Sequence, residues 1–312
     1  MKSAFEPGQL IADRYRVERM LGRGGMGIVY LVVDRLTDQR LALKTLLPRY
    51  ATNKYAVHRF VREVTVVRQL NHPCIVRIYE AQRVGKLLYY TMEYVEGKGL
   101  REWLQQRGRL GIGSTVRILS LICHALEHAH QYTIHRDLSP DNVMVLRDGS
   151  VKLLDFGLAK LTTVDAAFTR VGVSLGKYQY NAPEQRLNAA DVDHRADLYS
   201  LGVMFFELLT GEIPRGVQRI TELRPDLPKA CDSFVEKAMA QSPDDRFADA
   251  REFRLALVDL YDQATAQAEQ PAQEAAQRTW RGWLLAPWTT LRNLAMKAWR
   301  KVWRTRGNRE EK

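Results

Sequence analysis

The sequence predicts an α+β chain of two lobes, a small β-rich lobe followed by a larger helical one. Two observations predict it. β-branched and aromatic residues gather in short strand-like runs up to about residue 95, and helical periodicity dominates from Ser114 onward. At 312 residues the chain can bury a sizeable core in one or two domains.

The elements follow in order. Residues from Leu10 to Tyr30 read as a strand, a glycine turn and a second strand, with Ile28, Val29 and Tyr30 flanking the turn. Leu41-Ala42-Leu43-Lys44 is a third short strand, and Leu87 to Tyr94 is another. Between them, Arg59 to Leu70 has helical spacing, with Phe60, Val64, Val67 and Leu70 on one face. Helices are expected at Ser114–Gln131, Ala196–Leu209, Cys231–Ala240 and Ala248–Gln263. Beyond Asp262 the composition shifts. Residues 263–278 are Ala/Gln/Glu-rich, a linker or an extension of the preceding helix, and residues 279–312 form a separate Trp/Arg segment.

The net charge of +11 suggests nucleic acid until it is located. From Arg278 to Lys312 ten Lys/Arg stand against two Glu, so +8 of the charge belongs to the tail and only +3 to the remainder. A nucleic-acid-binding body is therefore not expected. Cys74, Cys123 and Cys231 lie far apart without metal-ligand spacing, which reads as buried thiols in a reducing cytosol. The N-terminus has no basic-then-apolar leader and the chain no run of about 18 apolar residues, so a membrane-spanning helix is not expected.

Five motifs carry chemistry. Gly22-Arg23-Gly24-Gly25-Met26-Gly27 can lie over phosphates and offer backbone N–H groups. A dinucleotide fold shares this pattern but should open into a helix, whereas Val29-Tyr30-Leu31 continues as a strand. Lys44 ends an apolar strand that directs it to a cleft, and Glu63 follows nineteen residues later on the next helix. Such a pair is either a phosphate clamp or a surface ion pair of little consequence. His135-Arg136-Asp137-Leu138-Ser139-Pro140-Asp141-Asn142 supplies a carboxylate for an acceptor hydroxyl and an amide oxygen for a metal. Asp155-Phe156-Gly157 lies eighteen residues beyond Asp137 and brings a second hard oxygen ligand, of the kind Mg²⁺ prefers. Ala182-Pro183-Glu184 closes the series.

Across Leu10 to Asp262 the chain resembles a Hanks-type serine/threonine protein kinase of the bacterial kind, with all five motifs in order. The resemblance implies a two-lobed kinase domain over 10–262, its N-lobe about 10–95 and its C-lobe about 96–262. It implies ATP with Mg²⁺ (or Mn²⁺) as cofactors and proteins as substrates. Gly22, Gly24 and Gly27 would cover the phosphates, beside Leu21, and Lys44 would contact them while paired with Glu63. Adenine would sit among Val29, Ala42 and Met144, with Met92 as gatekeeper and the backbone of Glu93 and Val95 bonding the base. Asp137 would orient the acceptor hydroxyl and take its proton, and Asn142 and Asp155 would hold the metal. Val67, Ile78, His135 and Phe156 would stack as a spine, Glu184 would pair with Arg246, and Asp197 would brace the catalytic loop.

Two positions and one segment length depart from the family. Ser139 stands where a lysine is usual, Lys177 stands where a threonine is usual, and the family places these two beside the catalytic Asp. A swap follows, with Lys177 returning the cation that Ser139 lacks; the alternative is a solvated Lys177. Only thirteen residues separate Gly211 from Pro225-Asp226-Leu227-Pro228, a surface that in the family docks substrates. Thr162, Thr163, Thr169 and Ser174 are candidate activation-loop phosphosites, with Thr169 and Ser174 preferred and Arg136 as the phosphate's partner. Ordinary solvated hydroxyls are the alternative.

In the tail, Trp288, Leu291, Leu294, Ala295, Ala298, Trp299, Val302 and Trp303 share one helical side. Lys297, Arg300, Lys301 and Arg304 take the other, and Arg292 breaks the apolar edge. A basic Trp-rich helix over 279–306 suits peripheral contact with an anionic membrane at the inner face, or docking on a partner or on the kinase itself. The expected location is cytoplasmic. Rival readings are a pseudokinase scaffold, which would lack one of Lys44, Asp137, Asn142 or Asp155, and a small-molecule phosphotransferase, which Ala182-Pro183-Glu184 and Arg246 disfavour.

Overall fold

The computed structural model describes residues 5–24, 27–46, 57, 61, 64–156, 177–187, 192–216 and 218–268, with Lys177, Gln267 and Ala268 as backbone alone. Its first lobe is an antiparallel sheet of β1 (Leu10–Ile11), β2 (Tyr15–Arg23), β3 (Gly27–Asp34), β4 (Arg40–Leu46), β5 (Ile78–Val84) and β6 (Leu87–Glu93). The strand order is β1-β2-β3-β4-β6-β5. β3 is apolar at nearly every position, and β4 is exposed only at Arg40, because both faces of the sheet are covered. Tyr15, Val17, Tyr30, Val32, Leu43 and Tyr89 form a separate core on the outer face. On the inner face Ala42, Leu46, Tyr90 and Met92 join the main core, which continues into the second lobe.

That second lobe begins with β7 (Gly97–Gly99), which pairs with β8 (Val143–Leu146) and then β9 (Val151–Leu153) in a small antiparallel sheet. Its helices are α1 (Leu100–Arg107), α2 (Ile112–Ala129), α3 (Pro183–Leu187), α4 (Arg195–Thr210), α5 (Ile220–Leu223), α6 (Ala230–Ala238) and α7 (Ala250–Ala268). α4 is the central post: every residue from Ala196 to Leu209 is buried. It stops at Gly211, whose φ of 84° turns the chain and lets its amide bond to the Glu207 carbonyl at 2.7 Å.

The four long helices expected from periodicity correspond to α2, α4, α6 and α7 within a few residues. α7 runs on through Ala268, so the start of the 263–278 segment extends that helix. Of the helix expected over 59–70, residues 61 and 64–67 are helical, and Val64, Val67 and Leu70 are buried as expected. β5, α1 and the small sheet were not foreseen. α1 buries only Leu100 and Leu104, too short a stripe to read as a period, and β7–β9 have three or four residues each. No helix among the described residues is long and apolar enough to cross a membrane. All three cysteines are free and buried.

Candidate active site

The glycine turn joins β2 to β3, with the Gly24 amide bonded to the Gly27 carbonyl at 2.9 Å. Its glycines serve different ends. A Cβ on Gly27 would lie 2.1 Å from the Thr45 carbonyl oxygen of β4, so the neighbouring strand excludes any side chain there. A Cβ on Gly22 or Gly24 would meet nothing among the described residues within 4 Å, and neither residue has a positive φ. What glycine preserves at those two positions is open space for another molecule, which fits a phosphate cradle.

Below the turn, Lys44 leaves β4 with its side chain 15% exposed, and its Nζ lies 2.7 Å from Asp155 Oδ2. Glu63, its expected partner, lies outside the described residues; the partner observed is Asp155. Asp155 sits at φ 51°, in the left-handed region that a non-glycine residue enters at a cost of about 1–2 kcal/mol. Its other oxygen accepts from the Tyr90 hydroxyl at 3.0 Å. Phe156, next in the chain, is buried and packs its ring 4.5 Å from that of His135. Val67 and Ile78 lie in the same core, so the four residues expected to form a spine share one packed region.

The loop carrying Asp137 is held from inside. Asp197, in the first turn of α4, is wholly buried and accepts from His135 N at 2.8 Å, Arg136 N at 2.7 Å and His130 Nε2 at 2.9 Å. Burial opposes its charge, yet these donors and the imidazoles hold its pKa below the ordinary carboxylate value. This brace is what keeps Arg136 at φ 64°. His135 donates through Nε2 to the Leu154 carbonyl at 2.9 Å, and burial keeps its imidazole neutral by lowering its pKa.

Asn142 Nδ2 donates to the Asp137 carbonyl at 2.6 Å and to its Oδ2 at 2.9 Å, while the Asn142 carbonyl accepts from Leu154 N at 2.9 Å. Lys44, Asp155, Leu154, Asn142 and Asp137 are therefore linked bond to bond. With its amide nitrogen committed to Asp137, Asn142 has its side-chain oxygen as the group to offer a cation. Asp155 and Asn142 thus present two hard oxygen donors, and Mg²⁺ takes few protein ligands and completes its shell with phosphates and water.

The surroundings expected for adenine are also assembled. Ala42 and Met92 are buried cross-strand partners of β4 and β6. Leu21, Val29 and Val95 pack on the main core, and Met144 is half-buried on β8. Glu93 spends its amide on the Arg77 carbonyl at 2.9 Å, so its own carbonyl is what it has for a base; Lys152 anchors its carboxylate at 2.7 Å. Ser139 is buried, and its hydroxyl has no hydrogen-bond partner among the described residues. Lys177 opens the short 3-10 turn before Ala182, and its side chain lies outside the described set. Gly157, Thr162, Thr163, Thr169, Ser174 and residues 269–312 lie outside it entirely.

Glu184 pairs bidentately with Arg246 at 2.7 and 2.8 Å, and Arg246 also donates to three main-chain carbonyls. Two features went unread in the sequence. One is Tyr90, which looked like an ordinary core residue of a strand. The other is Arg101 of α1, which bonds Tyr180 at 2.6 Å, pairs with Asp141 at 3.2 Å and contacts the buried Glu207. Their separations in the chain left no local signal.

The protein kinase domain model matches residues 15–254. Pkn1 of Myxococcus xanthus, a serine/threonine-protein kinase, is 38% identical over 263 residues, covering 78% of this chain and 38% of the relative. PrkC of Bacillus subtilis is 32% identical over 271 residues, covering 82% and 42%. PknB of Mycolicibacterium smegmatis is 34% identical over 275 residues, covering 81% and 44%. The chain thus spans about two-fifths of these relatives' length. Among solved structures, the kinase domain of Mycobacterium tuberculosis PknI superposes with a TM-score of 0.70 at 32% identity, covering 83% of this chain and 100% of that one. The chain belongs to the protein kinase family, among the bacterial Hanks-type serine/threonine kinases, a family that uses ATP and a divalent metal to act on proteins.

Proposed function

We propose that this chain is a Mg²⁺-dependent protein kinase that transfers the γ-phosphoryl of ATP to serine and threonine hydroxyls of proteins. The carrying observation is the bonded series from Lys44 through Asp155 and Asn142 to Asp137, which spans the cleft between the lobes. The metal, when bound, neutralises charge on the phosphates. Asp155 and Asn142 would hold it, and Lys44 would exchange the Asp155 carboxylate for the phosphates. Asp137 orients the acceptor hydroxyl, whose oxygen attacks the γ-phosphorus as the bond to the β-bridging oxygen breaks. Its carboxylate accepts the departing proton. Asp137→Asn should lower phosphate transfer to a protein acceptor by at least about a hundredfold while ATP still binds. Transfer that survived in Asp137→Asn would overturn this mechanism, and its absence from the unaltered chain would favour the pseudokinase.

Two finer roles belong to the same reading. Lys177 supplies the cation near the transferring phosphate that Ser139 does not, so Lys177→Ala should lower kcat and Ser139→Lys/Lys177→Thr should restore it; full turnover in the single variant counts against the swap. The chain also phosphorylates its own activation loop, with Thr169 and Ser174 preferred over Thr162 and Thr163. The Arg136 guanidinium, which has no hydrogen-bond or ion-pair partner among the described residues, supports a phosphate docking there. Phosphopeptide mapping after incubation with ATP, beside Asp137→Asn, tests it. Residues 279–306 are read as a peripheral contact for the anionic inner membrane face, supported by their Trp/Arg pattern.

A further inference from the structure

Lys44 and Tyr90 are direct cross-strand partners, Lys44 on β4 and Tyr90 on β6. Partners in an antiparallel pair project from the same face of the sheet, and the next pair along that face is Ala42 with Met92. One sheet face therefore carries an apolar pair and, two residues on, a pair of donors. Those donors act as a fork. Lys44 Nζ takes Oδ2 of Asp155 at 2.7 Å and the Tyr90 hydroxyl takes Oδ1 at 3.0 Å, so each oxygen of one carboxylate is held by a different strand. The prongs differ in kind, since Lys44 is a cation and Tyr90 a neutral donor.

The Tyr90 hydroxyl is an expensive group to place there. Tyr90 is 1% exposed within the main core, where an apolar ring would fill the space without desolvating an oxygen. What offsets that cost is its hydrogen bond, the hydroxyl donating to Asp155 Oδ1 at 3.0 Å. The carboxylate it holds also sits on a backbone of positive φ, a conformation that persists only where the surroundings fix it.

We propose that Tyr90 is a positioning residue that keeps Asp155 oriented for the divalent metal once Lys44 has left that carboxylate for the nucleotide phosphates. This rests on reading Asp155 as a metal ligand. A neutral donor suits the task, because it fixes one oxygen without bringing a positive charge that would repel the cation. Hydrogen bonds to metal-ligating carboxylates act in this way, and losing one typically weakens metal affinity about 10- to 100-fold.

The test is a titration of Mn²⁺ into protein saturated with a non-hydrolysable ATP analogue, with free Mn²⁺ read by electron paramagnetic resonance. Four proteins are compared: the unaltered chain, Tyr90→Phe, Tyr89→Phe and Asp155→Asn. Tyr90→Phe keeps the ring and removes one oxygen. Tyr89→Phe makes the same change next door, where the hydroxyl bonds Gln82 instead. Tyr90→Phe should bind Mn²⁺ about tenfold more weakly. Its melting midpoint and metal-free affinity for the analogue should stay unchanged, and so should Mn²⁺ binding by Tyr89→Phe. In turnover, the Mg²⁺ concentration for half-maximal rate should rise while kcat at saturating Mg²⁺ is kept. Unaltered Mn²⁺ affinity in Tyr90→Phe, with affinity lost in Asp155→Asn, overturns the role of Tyr90 and leaves Asp155 as ligand. Equal weakening of metal-free nucleotide binding also overturns it. Full Mn²⁺ affinity in Asp155→Asn removes the metal assignment and this inference together.

Discussion

At Gly27 a single methyl group decides between two strands and one. Because its Cβ would fall 2.1 Å from the Thr45 carbonyl, Gly27→Ala must push β3 from β4. We expect a loss of about 1–3 kcal/mol, read by urea denaturation. Gly24→Ala meets open space instead, so its melting midpoint should hold while the KM for ATP rises. Both glycines belong to one motif, and the sequence alone does not tell them apart. Ser139 offers the opposite case. Its buried hydroxyl lacks a partner among the described residues, so Ser139→Ala should be as stable as the unaltered chain or slightly more so.

At the scale of elements, the catalytic loop is an appendage of α4. It has little regular structure of its own beyond the 3-10 turn Pro140–Asn142. Asp197 fixes its backbone through two main-chain amides and a histidine. Asp197→Ala would strand those donors in the interior. We expect it to cost about 3–5 kcal/mol in urea denaturation, and to lower kcat even where the fold survives. The sequence placed Asp197 in this role through the family resemblance, since a buried Asp sixty residues from the loop it holds has no local signature. The Arg101 contacts to Asp141, Tyr180 and Glu207 went unread for the same reason.

At the scale of the molecule, the two lobes are joined through the segment before β5. Val76 N bonds to the Leu153 carbonyl of β9 at 2.9 Å, and Leu153 N bonds to Cys74 at 2.7 Å. His72 enters this junction, its Nδ1 accepting from Cys74 N at 3.2 Å and its ring stacked 5.6 Å from His128 of α2. Burial, with His128, His124 and Lys152 nearby, lowers its pKa from 6.5 to about 4. Above pH 6.5 neither state carries its proton and it contributes nothing to pH dependence. Between 6.5 and about 4 the unfolded chain takes up a proton that the folded one refuses, so stability should fall with pH and level off below that. His72→Asn, which keeps an acceptor for Cys74 N, should flatten the slope between pH 7 and pH 5 in denaturation curves. For the tail, vesicles with anionic lipid should sediment the full chain and leave a chain lacking 279–312 in solution.

By itself the sequence determined the strand–glycine turn–strand start and the four long helices, and it marked Lys44, Asp137, Asn142 and Asp155 as the residues the proposed chemistry would use. Long amphipathic periods and short fixed spacings are local properties, legible wherever the contacting groups lie within a turn or a loop. Tertiary structure decided what those residues touch. Lys44 meets Asp155 across 111 residues and Tyr90 meets it across 65, because β4 and β6 lie side by side and face the start of the Asp155-Phe156-Gly157 segment. Strand register makes those partners, and register is fixed only when the sheet closes over its core.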